Sequence, residues 1–389
     1  MISRIALVCS GLGTVRRGYE AFIQGLFEAL SGEPSVDVWL FKGAGDRTER
    51  QVPLWHLTRG GFVARLTGEL TRRGPYVIEQ VSLSASLVPH LRRIRPHLVY
   101  YCDPSIGRVL WQWRRLTGAS FRLMLHNGGP HPPPFRWADH VHQLTPVAMA
   151  VALAAGHTPE RQTLLPCGFN FGPEPHVPSQ SERWGRRRAL GLPVDRPVVL
   201  SVGALNRWHK RLDYLISEIA AMGERRPYLV MLGESEDETP AVRATAELLL
   251  GPDGFSMRTV PRERMDDYYR AADVFALASL IEAFGQPLVE ALAHGLPCVA
   301  HDHEVTRFVL NTEGVLSDLR QPGALATALR TALGQEDTPE QRSRRYYAVR
   351  DRFGWSTLLP DYVAMLTQGP PSAVRAPAQR RKVAAELAG

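Results

Sequence analysis

Residues 273–301 constrain this chain more than any other stretch. Residues 274–279 form a short apolar run of the buried-strand kind. Pro287 stands where a first helical residue would, and Gly295 with Pro297 stops that helix two turns later. Glu282 and Glu290 lie eight residues apart across the helix start, with Phe284, Gly285 and Gln286 between them. A helix N-terminus at the carboxyl end of a parallel strand offers unpaired N–H groups to an anion. Two acids at that point would repel a bare phosphate, yet they would accept hydrogen bonds from hydroxyls attached to one. A phosphate with sugar hydroxyls on both sides describes a nucleotide-sugar. The plainer reading is a chance pair of glutamates, one of them only a helix-start charge.

The alternation of strand and helix extends along the chain, as in doubly wound parallel sheets. Strands are expected over 5–10, 36–41, 98–102 and 121–125, with a helix over 19–30. The order breaks at 166–170, where a polar, Pro-rich stretch begins. A second run brings strands over 198–202, 228–232 and 255–259, and helices over 212–222, 241–250 and 263–272. The expected organisation is an N-terminal domain (1–168), a linker (169–195) and a C-terminal domain (196–350). A closing helix (351–368) and a tail without hydrophobic periodicity (369–389) follow. No stretch approaches the ~18 apolar residues of a membrane helix. The N-terminus opens directly on a strand rather than on a signal-peptide pattern. Cys9, Cys102, Cys167 and Cys298 are far apart and mostly within or beside apolar runs, which suits reduced thiols in a cytoplasmic protein.

The wording around the two glutamates, E-A-F-G-Q-P-L-V-E-A-L-A-H-G-L-P-C-V-A, resembles the signature of retaining glycosyltransferases of family 4. These have the GT-B architecture, an α/β fold of two doubly wound Rossmann-like domains facing across a cleft. The resemblance implies that Glu282 holds donor-sugar hydroxyls and that Glu290 binds the nucleotide ribose. It also implies that the backbone of Phe284, Gly285 and Gln286 faces sugar and phosphate. Residues 201–211 resemble the family's strand-to-helix loop, in which Lys210 matches its lysine and Gly203 belongs to the donor-binding set. Fixed cations there stabilise the charge of a departing diphosphate. Where the family usually has arginine this chain has Ala204, and Arg207 is the candidate replacement. His126, at the end of the strand over 121–125, implies a histidine approaching the donor sugar from the N-terminal domain; His131, His140 and His142 are read as loop residues. No metal-ligand spacing is present, and no cofactor or metal is expected.

The loop Gly11-Leu12-Gly13 invites a dinucleotide reading, but Arg16 stands where the fingerprint needs its third glycine. In the resembled family such a loop lies across the cleft from the donor diphosphate, near the acceptor, and Gly13 is carried over as a donor-side contact. The resulting expectation is sugar transfer, with retention, from a nucleoside diphosphate sugar to a hydroxyl of a glycan, lipid-linked or small-molecule acceptor. Nucleotide-sugar binding without turnover is the alternative, and a Rossmann-type oxidoreductase a more distant one. No nucleic-acid partner is expected.

The net charge of +7 is uneven: residues 1–165 carry nineteen Lys/Arg against eleven Asp/Glu. Residues 107–116 combine two tryptophans, aliphatics and three arginines in a form compatible with a surface amphipathic helix. Such a helix fits peripheral contact with the inner face of an anionic membrane. It equally fits attraction of an anionic soluble acceptor, or a core-facing helix with a solvated basic edge.

Overall fold

Two wholly parallel sheets, each flanked by helices, carry the chain in a computed structural model that describes residues 2–15, 17–129 and 131–368. The tail over 369–389 lies outside the described residues. The first sheet is built from β1 (Ser3–Cys9), β2 (Val36–Lys42), β3 (Gln51–Pro53), β4 (Leu98–Tyr101), β5 (Arg122–Asn127), β6 (His140–Gln143) and β7 (Gln162–Leu164). Its helices are α1 (Gly18–Ser31), α2 (Phe62–Thr71), α3 (Pro75–Ile94), α4 (Pro104–Thr117) and α5 (Pro146–Ala154). After α6 (Gln180–Leu190), the second sheet takes β8 (Val198–Val202), β9 (Tyr228–Leu232), β10 (Phe255–Arg258), β11 (Val274–Leu277), β12 (Cys298–His301) and β13 (Gly314–Ser317). Between and after these strands come α7 (Leu212–Ala220), α8 (Thr239–Leu250), α9 (Met265–Ala271), α10 (Gln286–Ala293), α11 (Glu304–Leu310) and α12 (Ala324–Gly334). Two final helices, α13 (Pro339–Phe353) and α14 (Trp355–Gln368), end the described chain.

Strand order decides where chemistry is placed. It is β3-β2-β1-β4-β5-β6-β7 in one sheet and β10-β9-β8-β11-β12-β13 in the other. Each order reverses direction once, between β1 and β4 and between β8 and β11. At such a point adjacent loops leave the strand ends in opposite directions and open a crevice. The Gly11–Gly13 loop follows β1, Asp103 follows β4, the 203–211 loop follows β8, and Glu282 follows β11.

The segment read as an irregular linker holds a helix. Ser179 and Glu182 form a capping box at the start of α6. The buried Arg187 then donates to Asp273 Oδ2 (2.5 Å) and to the Ala271 carbonyl (2.8 Å), which anchors α6 on the second domain. The chain crosses between domains twice, and the crossings are tied together: Phe169 N donates to Phe353 O (2.8 Å) and Trp355 N to Phe169 O (3.0 Å). From there α14 lies against α1, with Trp355 and Tyr362 beside Phe22.

The segment over 107–116 lies in α4. Its tryptophans are packed rather than presented: Trp111 meets Trp137 edge-on and Trp113 stacks on Phe121. Ile106, Gly107 and Leu110 are buried, so α4 packs one face on the core and keeps a basic outer edge.

Candidate active site

At the β8–β11 switch point two loops are locked together. Asn206 is buried, and its Oδ1 accepts from the backbone N–H of Lys210 (2.8 Å) and His209 (3.3 Å). Its Nδ2 donates to Glu236 (2.7 Å). This turns the loop so that the Lys210 stem passes over Gly203, where a Cβ would lie 2.7 Å from Lys210 Cε. Nζ then reaches Glu282 Oε1 at 2.5 Å, and Ser279 Oγ donates to the same oxygen at 2.5 Å. Both ionic side chains are about nine-tenths buried (11% and 8% exposed), so their attraction is little screened by solvent. Arg211, in a left-handed conformation (φ 49), donates to the carbonyls of Ala278 (3.3 Å) and Leu319 (2.9 Å) and fastens one loop to the next. Arg207 is placed differently: its half-exposed guanidinium lies 3.8 Å from Asp213 on α7, and no contact joins it to Lys210 or Glu282 among the described residues.

The start of α10 follows from Gly285, whose φ of 81 is left-handed and suits a residue without a side chain. No side chain caps this helix start. Phe284 is buried against Phe169 and Phe353, so its ring serves packing. Gln286 spans the two domains: its Nε2 donates to Gly18 O at the head of α1 (3.0 Å). Glu290 lies one helix face further along. Its Oε2 accepts from the Tyr269 hydroxyl (2.8 Å) and its Oε1 pairs with the exposed Arg262 (3.1 Å). Burial and the neighbouring Glu290 carboxylate push the Tyr269 phenol up, so it stays a donor. The Arg262 pair is exposed and therefore weak.

Across the cleft, His126 lies within β5 rather than at its end, because the strand continues to Asn127. His140 and His142 are not loop residues: they sit in β6, buried, with His142 opposite His126 in the register. Tyr100 Oη is 2.7 Å from His126 Nδ1 and 2.6 Å from His142 Nδ1. His142 Nε2 lies 2.8 Å from the Leu165 carbonyl, so that nitrogen carries a proton. Burial lowers the pKa of His142 to about 4 and holds that of His126 well below its usual value, so both rings are neutral at pH 7. The proton order is therefore fixed. His142 Nε2–H donates to Leu165 O, Tyr100 O–H donates to His142 Nδ1, and His126 Nδ1–H donates to the Tyr100 oxygen. His126 Nε2 is left with a bare lone pair, and it lies where a side chain at Gly128 would collide with it. Phe22 of α1 stacks on the ring at 4.7 Å and holds its plane.

Gly13 has a packing role. Its φ is 89, and a side chain there would strike the Ala44 backbone. Gly11 makes room for the buried Glu20 carboxyl, whose pKa is raised by burial. Among the described residues no group of three His, Cys, Asp or Glu side chains is arranged to hold a metal ion.

Sequence reasoning missed Tyr100, His142, Ser279, Tyr269 and Arg262. His142 had no local strand signal, since His140-Val141-His142-Gln143 lacks any apolar run, and Tyr100 was legible only as one residue of the strand over 98–102.

Residues 182–351 match the family model described as glycosyl transferases group 1. This span begins inside α6 and ends in α13, so it takes in Lys210, Glu282 and Glu290. The fold is GT-B. Sucrose-phosphate synthase from Thermosynechococcus elongatus superposes with a TM-score of 0.75 at 19% identity, over 98% of this chain and 100% of that one. Anabaena HepE in complex with UDP and glucose gives 0.73 at 18% identity, over 94% and 99%. In sequence the chain is 36% identical over 189 residues to the D-inositol 3-phosphate glycosyltransferase of Xylanimonas cellulosilytica, which covers 46% of this chain and 45% of that protein. The protein of that name from Thermobispora bispora is 31% identical over 214 residues (51% and 48%). The chain thus spans about half the length of the curated relatives it matches. The family match and the curated relatives support a glycosyltransferase.

Proposed function

We propose that this protein is a retaining glycosyltransferase of family 4, transferring a sugar from a nucleoside diphosphate sugar to an acceptor hydroxyl. The observation that carries the reading is the Lys210–Glu282 contact of 2.5 Å at the β8–β11 switch point, inside the matched segment. The pair sets a buried cation beside a hydroxyl acceptor at the end of a parallel strand. The names of the relatives and the UDP held by HepE support a nucleoside diphosphate as the donor's carrier.

In the proposed reaction the bond between the anomeric carbon and the diphosphate breaks while the acceptor oxygen bonds to that carbon from the same face. The acceptor proton passes to the departing phosphate. Lys210 and the uncapped start of α10 face the growing phosphate charge. Glu282 and His126 Nε2 accept hydrogen bonds from sugar hydroxyls on the two sides of the cleft, and Glu290 accepts from the ribose. The acceptor enters from the first domain, near Asp103 and the Gly11–Gly13 loop.

The engagement of Arg207 with Asp213, together with Ala204, favours a second reading: nucleotide-sugar binding without turnover. Incubation with a panel of nucleotide-sugars and candidate acceptors, with released diphosphate measured, tests both. Release that depends on acceptor supports transfer. Saturable binding without release supports the second reading, and neither binding nor release refutes both.

A further inference from the structure

Helix α2 is amphipathic with its apolar face outward. It buries only Ala64 and Gly68. Phe62, Val63, Leu66 and Leu70 are exposed instead, Phe62 and Leu70 by 78% and 79%. The four-residue spacing of Phe62, Leu66 and Leu70 places them on one helix face. Trp55, 69% exposed, adds an aromatic side chain just ahead of this helix. An exposed apolar face of this extent marks an interaction site. Its rim is basic: Arg65, Arg72 and Arg73 are exposed, and Glu69 is the only acid between residues 62 and 73. On the function proposed above, the patch also lies at the acceptor side. The chain reaches α2 from the carboxyl end of β3, and just past α2 the Tyr76 hydroxyl donates to Asp103 Oδ2 (2.6 Å) at the end of β4.

We propose that α2 docks the first domain on the surface of an anionic lipid bilayer. Phe62, Val63, Leu66 and Leu70 enter the boundary between headgroups and acyl chains, and the three arginines meet headgroup phosphates. This places the membrane contact on α2 rather than on α4, whose half-buried tryptophans pack against Trp137 and Phe121. Docking requires no nucleotide, so it stands or falls apart from the sugar-transfer reading. It sets the acceptor side of the cleft against the bilayer, where an amphiphilic acceptor would be held.

The test is co-sedimentation of the full chain with phosphatidylglycerol-containing vesicles and with pure phosphatidylcholine vesicles. The protein should pellet with the first at low salt, stay in solution with the second, and be released as salt rises. The double variant Phe62→Ser, Leu70→Gln should weaken binding at least about ten-fold, given the apolar area removed. The triple variant Arg65→Gln, Arg72→Gln, Arg73→Gln should weaken it about a hundred-fold, at about five-fold per arginine. Leu248→Gln alters an equally exposed leucine on α8 (82%) and should change nothing. All these side chains are exposed, so melting temperatures should match the wild type. Wild-type protein that ignores anionic vesicles overturns the proposal, as does a double variant that binds undiminished. A concentration-dependent dimer in sedimentation velocity, abolished by the same variants, would give the face to a second copy of this chain and equally overturn it.

Discussion

Tyr100→Phe removes one oxygen atom and should change the chemistry of a histidine on another strand. The hydroxyl is buried between His126 Nδ1 (2.7 Å) and His142 Nδ1 (2.6 Å), and it both accepts and donates. Loss of two buried hydrogen bonds at about 1 kcal/mol each, with only the long contact from His126 Nδ1 (3.3 Å) left at His142 Nδ1, should cost roughly 2–3 kcal/mol of stability. The functional effect is separate. Without the Tyr100 oxygen, His126 Nδ1–H keeps only His142 Nδ1, 3.3 Å away, as an acceptor. That weaker partner lets the proton pass to Nε2, which then turns from acceptor to donor. A hydroxyl bound there then meets an N–H in place of a lone pair. Loss of one such contact, about 1–3 kcal/mol, lowers kcat/KM by roughly 5- to 150-fold. Two assays apply: imidazole ¹⁵N shifts with selective labelling for the tautomer, and steady-state transfer kinetics at a temperature where the variant is folded. The wild type should show His126 protonated at Nδ1 and bare at Nε2, and Tyr100→Phe should shift the proton toward Nε2. A wild-type His126 protonated at Nε2 would refute the relay whatever the kinetics show.

The same burial makes the fold acid-sensitive. The pKa of His142 is lowered to about 4, so below pH 6.5 the unfolded chain takes up a proton that the folded one does not. Stability should therefore hold above pH 6.5 and fall by about 3 kcal/mol from this residue as pH drops to 4. Urea unfolding at several pH values measures that slope, and an equal slope in His142→Asn would contradict it. Lys210→Ala should lower turnover by about two orders of magnitude or more, as for loss of an oxyanion-type donor. Arg207→Ala, in its pair with Asp213, should change turnover only a few-fold, so comparable losses in the two variants would place Arg207 on the leaving group. Glu290→Ala should weaken binding of a nucleoside diphosphate by roughly 1.5–3 kcal/mol. Glu282→Ala should impair transfer with little effect on that sugar-free ligand, and calorimetry showing equal losses in both variants would contradict the assignment.

The second domain was legible because its strands are buried on both faces. They read as largely apolar runs such as Val198–Val202, broken only by Ser201, and Tyr228–Leu232, which agree with the observed strands residue for residue. Proline and glycine also marked the ends of α10 through local backbone limits. The first domain was less legible where polar side chains are buried. The strand β6 is His-Val-His-Gln, fully buried, and its side chains are satisfied by Tyr100, Thr163 and Gln162 from distant parts of the chain. Helix α2 escaped notice for the opposite reason, since its large apolar residues face solvent.

What the sequence determined by itself was the alternation of elements, the division into two domains and the residue types of the signature, all set by interactions within a few residues of chain. Tertiary structure alone decided which side chains meet. Lys210 and Glu282 are 72 residues apart, Tyr100 and His142 are 42, and Gln286 and Gly18 are 268. Contacts of that span depend on sheet order and helix packing. A buried proton relay, in particular, takes its direction from the Leu165 carbonyl at its far end, which no local pattern of residues records.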